Sequence, residues 1–181
     1  VDGVINNAGI IQPFVHINDL DYDKIKLVMD VNFYGTLYTV KSLLPYLLER
    51  PEAHIVNISS MGGFTPVPGQ SIYGASKAAV KLMTEGLASE LKDTNVKVTV
   101  VFPGAVNTNI TKNSDADHRR NEKKDQDTSK LLQPKDAAEI IVSGMENDKA
   151  RIFAGKDSRM LDIMTRINPK KAADIIADKL K

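Results

Sequence analysis

Two apolar, β-branched runs constrain this chain most: His54-Ile55-Val56-Asn57-Ile58-Ser59-Ser60 and Val96-Lys97-Val98-Thr99-Val100-Val101-Phe102. Both have the length and the Val/Ile content of buried strands. Each is stopped by chain-breaking residues, Met61-Gly62-Gly63 after the first and Pro103-Gly104 after the second. Between them a helical pattern runs from about Ile72 to Leu91, with Leu82, Met83, Leu87 and Leu91 on its apolar face and Gly74, Ala75, Ala78 and Ala79 leaving its first turns thin. Strands alternating with helices predict an α/β fold with a parallel, doubly wound sheet.

The rest of the chain repeats this alternation. Val1-Asp2-Gly3-Val4-Ile5-Asn6-Asn7-Ala8-Gly9 is a short strand pattern closing on a turn; it has no lead-in and no initiator Met, and reads as a chain entered halfway. A helical period begins at Asp19, and a second helical run from Val31 to about Glu49 is expected to kink at Pro45. Pro134 is expected to start a helix containing Ala137, Ile140, Ile141 and Met145. Arg151-Ile152-Phe153-Ala154 reads as a strand ended by Gly155, and the remainder as helix interrupted at Asn168-Pro169. From Thr111 to Lys130 only Ala116 is apolar, and six Lys/Arg against five Asp/Glu leave +1, so the segment reads as a solvated lid rather than a phosphate or nucleic-acid patch. Residues 1–181 are expected to form one domain with about four strands.

Composition excludes several classes of function. With 42% hydrophobic and 26% charged residues and a net charge of +1, bulk electrostatics favour neither nucleic acid nor membrane. The absence of Cys removes disulfides, thiolate nucleophiles and Cys-based metal sites. No apolar stretch approaches the roughly 18 residues of a membrane span, and no signal peptide opens the sequence, so cytoplasm is the expected location. His16, His54 and His118 show no metal or triad spacing and read as loop or surface residues, and Ser59-Ser60-Met61-Gly62 lacks the Gly-x-Ser-x-Gly elbow of a hydrolase.

Tyr73 and Lys77 lie four residues apart, thirteen residues after Ser60. At that spacing they share a helix face, so an ammonium can lie beside the phenol and favour its ionised form. Tyr22 and Lys26 have the same spacing, but the residue thirteen before Tyr22 is Gly9 and the neighbours Asp19, Asp21, Asp23 and Lys24 describe a solvated helical turn. Read singly, Asn6-Asn7-Ala8-Gly9 is a tight turn, Asn32 a helix-boundary residue and Ser60 a strand-end hydroxyl.

Taken together, Asn6-Asn7-Ala8-Gly9, Asn32 in Val31-Asn32-Phe33-Tyr34-Gly35, Ser60, Tyr73 with Lys77, and Pro103-Gly104 with Thr108 resemble, in that order, a short-chain dehydrogenase/reductase of the compact type, from residue 1 to about 155. The resemblance implies the C-terminal part of a Rossmann-type sheet and an NAD- or NADP-dependent interconversion of a carbonyl and a secondary alcohol. It implies that Ser60 holds the substrate oxygen, that Tyr73 transfers its proton, and that Lys77 tunes Tyr73 and binds the nicotinamide ribose. Asn32 is implied to distort its helix so that a carbonyl holds a water connected to the lysine. Asn6, Ala8, Gly9 and Tyr73 are implied to lie beside the cofactor, with an Asn bracing neighbouring strands, and Pro103, Gly104, Val106 and Thr108 to close over the nicotinamide.

One departure matters: none of the eleven glycines falls in the Gly-x-Gly-x-x-Gly arrangement that receives a pyrophosphate. The expectation is therefore the catalytic portion of a dehydrogenase without its first mononucleotide-binding half. The alternative is a non-catalytic fragment defective in cofactor binding. The resemblance also implies a homodimer or homotetramer through the helices at about 33–49 and 72–91. The resemblance further implies a pocket wall of Ile11, Met61, Phe64, Val67 and Ala105, with Gln70 as its polar exception, which favours a hydrophobic ketone or alcohol over a sugar.

Overall fold

The computed structural model describes residues 1–114, 116 and 131–180. Four strands, β1 (Gly3–Asn6), β2 (Ala53–Ile58), β3 (Val96–Pro103) and β4 (Arg151–Ala154), form one parallel sheet in the order β1-β2-β3-β4. The chain also forms α1 (Tyr22–Met29), a π-helical turn (Asp30–Tyr34), α2 (Gly35–Leu48), α3 (Ser71–Glu90), α4 (Ile110–Asn113), α5 (Pro134–Glu146), α6 (Lys156–Ile167) and α7 (Pro169–Leu180).

The pleat sorts the core into two layers. Ala53 and Ile55 of β2 and Val96 and Val98 of β3 pack with Val40 and Leu47 of α2 and with Leu87 of α3. Val56 and Ile58, one position out of phase, join Val101 of β3 and Ile152 of β4 on the other face, under Ile141 and Met145 of α5. Alternate side chains of one strand point to opposite faces, so helices cover both and the central strands read as continuous apolar runs. This is the doubly wound arrangement the strand–helix alternation predicts.

The two expected N-terminal helical runs are in fact joined: the π turn carries α1 into α2 at Asp30–Tyr34. Sequence period alone cannot register one inserted residue, whereas the tertiary demand on Asn32 can impose it. α2 continues past Pro45 to Leu48. His54 is neither loop nor surface but a half-buried residue of β2, lying 3.6 Å from Glu52 and 3.9 Å from Asp148. Among the described residues β1 pairs only with β2 and β4 only with β3, so these two strands form the edges of the sheet. No helix of these residues is long and apolar enough to cross a membrane. The expected lid at 111–130 lies outside the described residues except for Thr111 to Ser114 and Ala116; His118 lies outside them too.

Candidate active site

Parallel strands deliver their C-terminal ends to one side of the sheet, and the predicted site residues collect there. β2 ends at Ile58, and Ser60 follows in extended backbone with its hydroxyl oxygen accepting the Gly62 amide at 3.0 Å. The glycines after it allow the next turn to sit on α3. A Cβ on Gly63 would press within 2.9 Å of the Lys77 backbone, while one on Gly62 would rest 3.4 Å from the Tyr73 ring. The Ser59 hydroxyl donates to the Lys77 carbonyl at 2.8 Å, fixing α3 against the end of β2.

Lys77 is 3% exposed, and its Nζ donates to the Ile58 carbonyl at 2.9 Å. Asn32, fully buried in the π turn, accepts the Ile10 amide with Oδ1 and donates through Nδ2 to the Ile10 carbonyl and the Ser76 hydroxyl, all at 2.9 Å. Ser76 in turn donates to the Tyr73 carbonyl at 2.7 Å. The Asn32 carbonyl accepts the Thr36 hydroxyl at 2.9 Å. Gly9 closes this group: a Cβ there would lie 3.1 Å from Lys77 Nζ and 3.4 Å from Asn32 Oδ1. Asn32, Ser60, Tyr73, Lys77 and Gly9 are thus one constellation. Tyr22 and Lys26 are not part of it; Tyr22 is 88% exposed and Lys26 pairs with Asp30.

Asn6 Nδ2 donates to Asn57 Oδ1 at 2.8 Å, and Asn57 donates to the Thr84 hydroxyl at 3.0 Å, so Asn6 braces β1 on β2 and α3. Asn6 and Ala8 line a cavity of about 310 Å³ with Ile5, Asn7, Val31 and Thr36. Past β3, a Cβ on Gly104 would be built onto the Asp157 carboxylate, whose Oδ2 accepts the Ala105 amide at 2.8 Å. Val106 bridges to Leu132 in parallel, and the exposed Thr108 donates its amide to the Val106 carbonyl at 2.9 Å.

Three features differ from expectation. Burial pushes the Tyr73 phenol above the usual tyrosine value, and only its hydrogen bond with Ser60 draws it back. Burial also brings Lys77 down to about 8. Burial and Ser60 thus set the direction of the phenol's shift, while the Lys77 ammonium meets the Ile58 carbonyl. Second, Phe64 packs edge-on against Phe102 and lines a charged cavity of about 380 Å³ with Lys81, Glu85, Arg151 and Asp162, whose lining does not include Tyr73. Third, Gln70 is buried and donates to the Gln12 carbonyl rather than standing in an open wall. Sequence reading missed Gln12, Ser59, Ser76, Asn57 and Asp157. Of these only Asp157, two residues after the strand-ending Gly155, had a local signal.

A model of the short chain dehydrogenase family matches residues 1–119. The chain belongs to that family. An uncharacterized oxidoreductase of Staphylococcus aureus strain MRSA252 is 40% identical to this short-chain dehydrogenase over 149 residues, 82% of the chain and 60% of the relative. The chain therefore spans about 60% of the length of that relative. Among solved structures, a short chain dehydrogenase from Burkholderia cenocepacia in complex with NADP superposes with a TM-score of 0.81 at 23% identity, covering 97% of this chain and 70% of that one. A short chain dehydrogenase/reductase from Burkholderia phymatum in complex with NAD superposes at 0.77 and 24% identity, covering 93% and 68%. These likenesses give the Rossmann-type fold.

Proposed function

We propose that this short-chain dehydrogenase is the catalytic portion of an NAD- or NADP-dependent oxidoreductase that interconverts a carbonyl and a secondary alcohol, with Tyr73 as its acid–base group. The observation that carries the proposal is the convergence of Ser60, Tyr73, Lys77 and Asn32 at the C-terminal end of β2, with Lys77 buried and anchored to the Ile58 carbonyl. A nicotinamide cofactor fits the residues present. Gly9 leaves open the space beside Lys77 Nζ that a Cβ would fill, and Asn6 and Ala8 line the adjoining cavity. Asn6, Ala8, Gly9, Lys77, Pro103, Gly104, Val106 and Thr108 would hold it, and when bound it supplies or accepts the hydride.

The directions of the two pKa shifts suit this chemistry. A phenol raised by burial is protonated at neutral pH and is the form needed to donate to a carbonyl oxygen during reduction. Lys77, at about 8, is still mostly charged at pH 7. Its ammonium, one helical turn from Tyr73, favours the phenolate left behind. Ser60, hydrogen-bonded to the phenol, steadies the same oxygen pair. In oxidation the steps reverse and the phenolate takes the alcohol proton.

Ile11, Met61 and Val67, with Ala105, favour an apolar ketone or alcohol over a polyol, whose hydroxyls would each need a partner. Exposed Tyr38, Tyr46 and Leu82 on α2 and α3 support self-association of one catalytic domain through these helices. The test of the function is a panel of ketones, alcohols and sugars assayed with NADH and NADPH on the protein that carries this chain. Reduction of apolar ketones is expected, and higher kcat/KM for sugars would overturn the substrate class. A second reading, favoured by the lack of any Gly-x-Gly-x-x-Gly in the 181 residues, is that the isolated chain binds cofactor poorly and acts without catalysis.

A further inference from the structure

α3 begins without a cap of its own, since Gln70 at its N-terminal boundary makes no side-chain capping bond. The role is filled from far away in sequence. Gln12 Oε1 accepts the amides of Ile72 at 2.7 Å and Tyr73 at 3.0 Å, and Gln12 Nε2 donates to the Gly69 carbonyl at 2.9 Å. The Gln12 carbonyl accepts Gln70 Nε2 at 2.8 Å, and Gln12 is 1% exposed. A local cap moves with the helix it caps. A cap from another segment ties the helix end to that segment.

The segment in question is the one that meets the rest of the site. Gly9 lies against Lys77 Nζ, Ile10 is gripped through both its amide and its carbonyl by Asn32, and the Ile11 amide donates to Ser114 Oγ at 3.0 Å. Gln12 therefore references the backbone of Tyr73 to the segment whose Gly9 and Ile10 meet Lys77 and Asn32. Its chemistry also fits a place near a phenol that must ionise. Helix N-termini ordinarily favour Asp or Glu. A carboxylate on the Ile72 and Tyr73 amides would oppose a phenolate, whereas a carboxamide satisfies both amides without adding charge.

We propose that Gln12 is a positioning residue for Tyr73: it sets the phenol's place through the Ile72 and Tyr73 amides and, by being neutral, leaves the phenol free to ionise. This rests on Tyr73 being the acid–base group.

The test compares Gln12→Met, which removes the acceptor, with Gln12→Glu, which keeps an acceptor and adds charge. In the protein that carries this chain, Gln12→Met is expected to lower kcat by about 10²-fold, the cost of a ~1 Å misplacement, with KM changed less than about threefold. Gln12→Glu is expected to keep most of kcat at its optimum while the tyrosine-controlled limb of the pH profile moves to higher pH. Independently of activity, NMR of the 181-residue chain carrying ring-13C tyrosine, with the Tyr73 signal identified by its loss in Tyr73→Phe, should show Tyr73 titrating at higher pH in Gln12→Glu than in wild type. Should Gln12→Met not fold, the Glu variant decides alone. Unchanged kcat in folded Gln12→Met, or an unmoved Tyr73 titration in Gln12→Glu, overturns the proposal. A wild type inactive on every carbonyl and alcohol while the NMR shift appears faults the functional reading instead.

Discussion

The ammonium of Lys77 and the carbonyl of Ile58 meet at 2.9 Å, joining the helix that carries the candidate acid–base group to the last residue of the strand beneath it. A charge held there is held at a cost. Burial brings Lys77 from 10.5 to about 8, which corresponds to roughly 3 kcal/mol against the protonated form, an order-of-magnitude figure.

That cost has a definite sign with pH. Between about 8 and 10.5 the unfolded chain keeps the Lys77 proton while the folded chain loses it, so stability rises with pH across this window and the penalty is fully present below it. Urea unfolding at a series of pH values should show the rise in wild type and lose most of it in Lys77→Met. Equal pH dependence in the two proteins would show that Lys77 is not the group responsible.

Tyr73→Phe, in the protein that carries this chain, should reduce carbonyl reduction by ~10²–10⁴-fold, the usual worth of general acid catalysis, and leave cofactor affinity nearly unchanged. The ring stays, so the packing against Gly62 is kept. A variant retaining more than about a tenth of wild-type kcat would reject Tyr73 as the proton donor.

Asn57 is fully buried between Asn6 and Thr84. Asn57→Ala should destabilise the chain by about 1–3 kcal/mol by removing the shared partner of the Asn6 amide and the buried Thr84 hydroxyl. Thermal or urea unfolding measures it. A loss below about 0.5 kcal/mol would mean that the Asn6–Asn57–Thr84 bridge is not holding β1 to β2.

Gly104→Ala should destabilise the turn after β3 because its Cβ falls on the Asp157 carboxylate. Asp157→Gly in the same protein should recover part of the loss, with the Ala105 amide left to solvent. The double-mutant cycle reads this directly, and strict additivity would place the strain elsewhere.

Isothermal calorimetry on the isolated 181-residue chain should find weak binding of NADH and NADPH, since nothing in its sequence forms the glycine-rich turn that receives a pyrophosphate. Micromolar binding to the monomeric chain would count against this.

By itself the sequence determined the alternation of buried strands and helices, and with it the parallel sheet. The Val- and Ile-rich runs and their Gly and Pro stops are local signals, strong enough to place β2, β3, β4 and α3 to within a residue or two. Tyr73 and Lys77 could be read because their partnership is a helix spacing, and Ser60 because it stands at a strand end. Only the tertiary structure decided what surrounds them. The π turn at Asn32 arises from a grip on Ile10, the cap on α3 comes from Gln12, and the buried Asn57 is satisfied by Asn6 and Thr84. Each of these joins residues more than twenty positions apart, and no local periodicity carries them. The protonation of the site was decided in the same way: spacing puts Lys77 one helical turn from Tyr73, but burial, with the Ser60 hydrogen bond at Tyr73, sets the direction in which each group shifts.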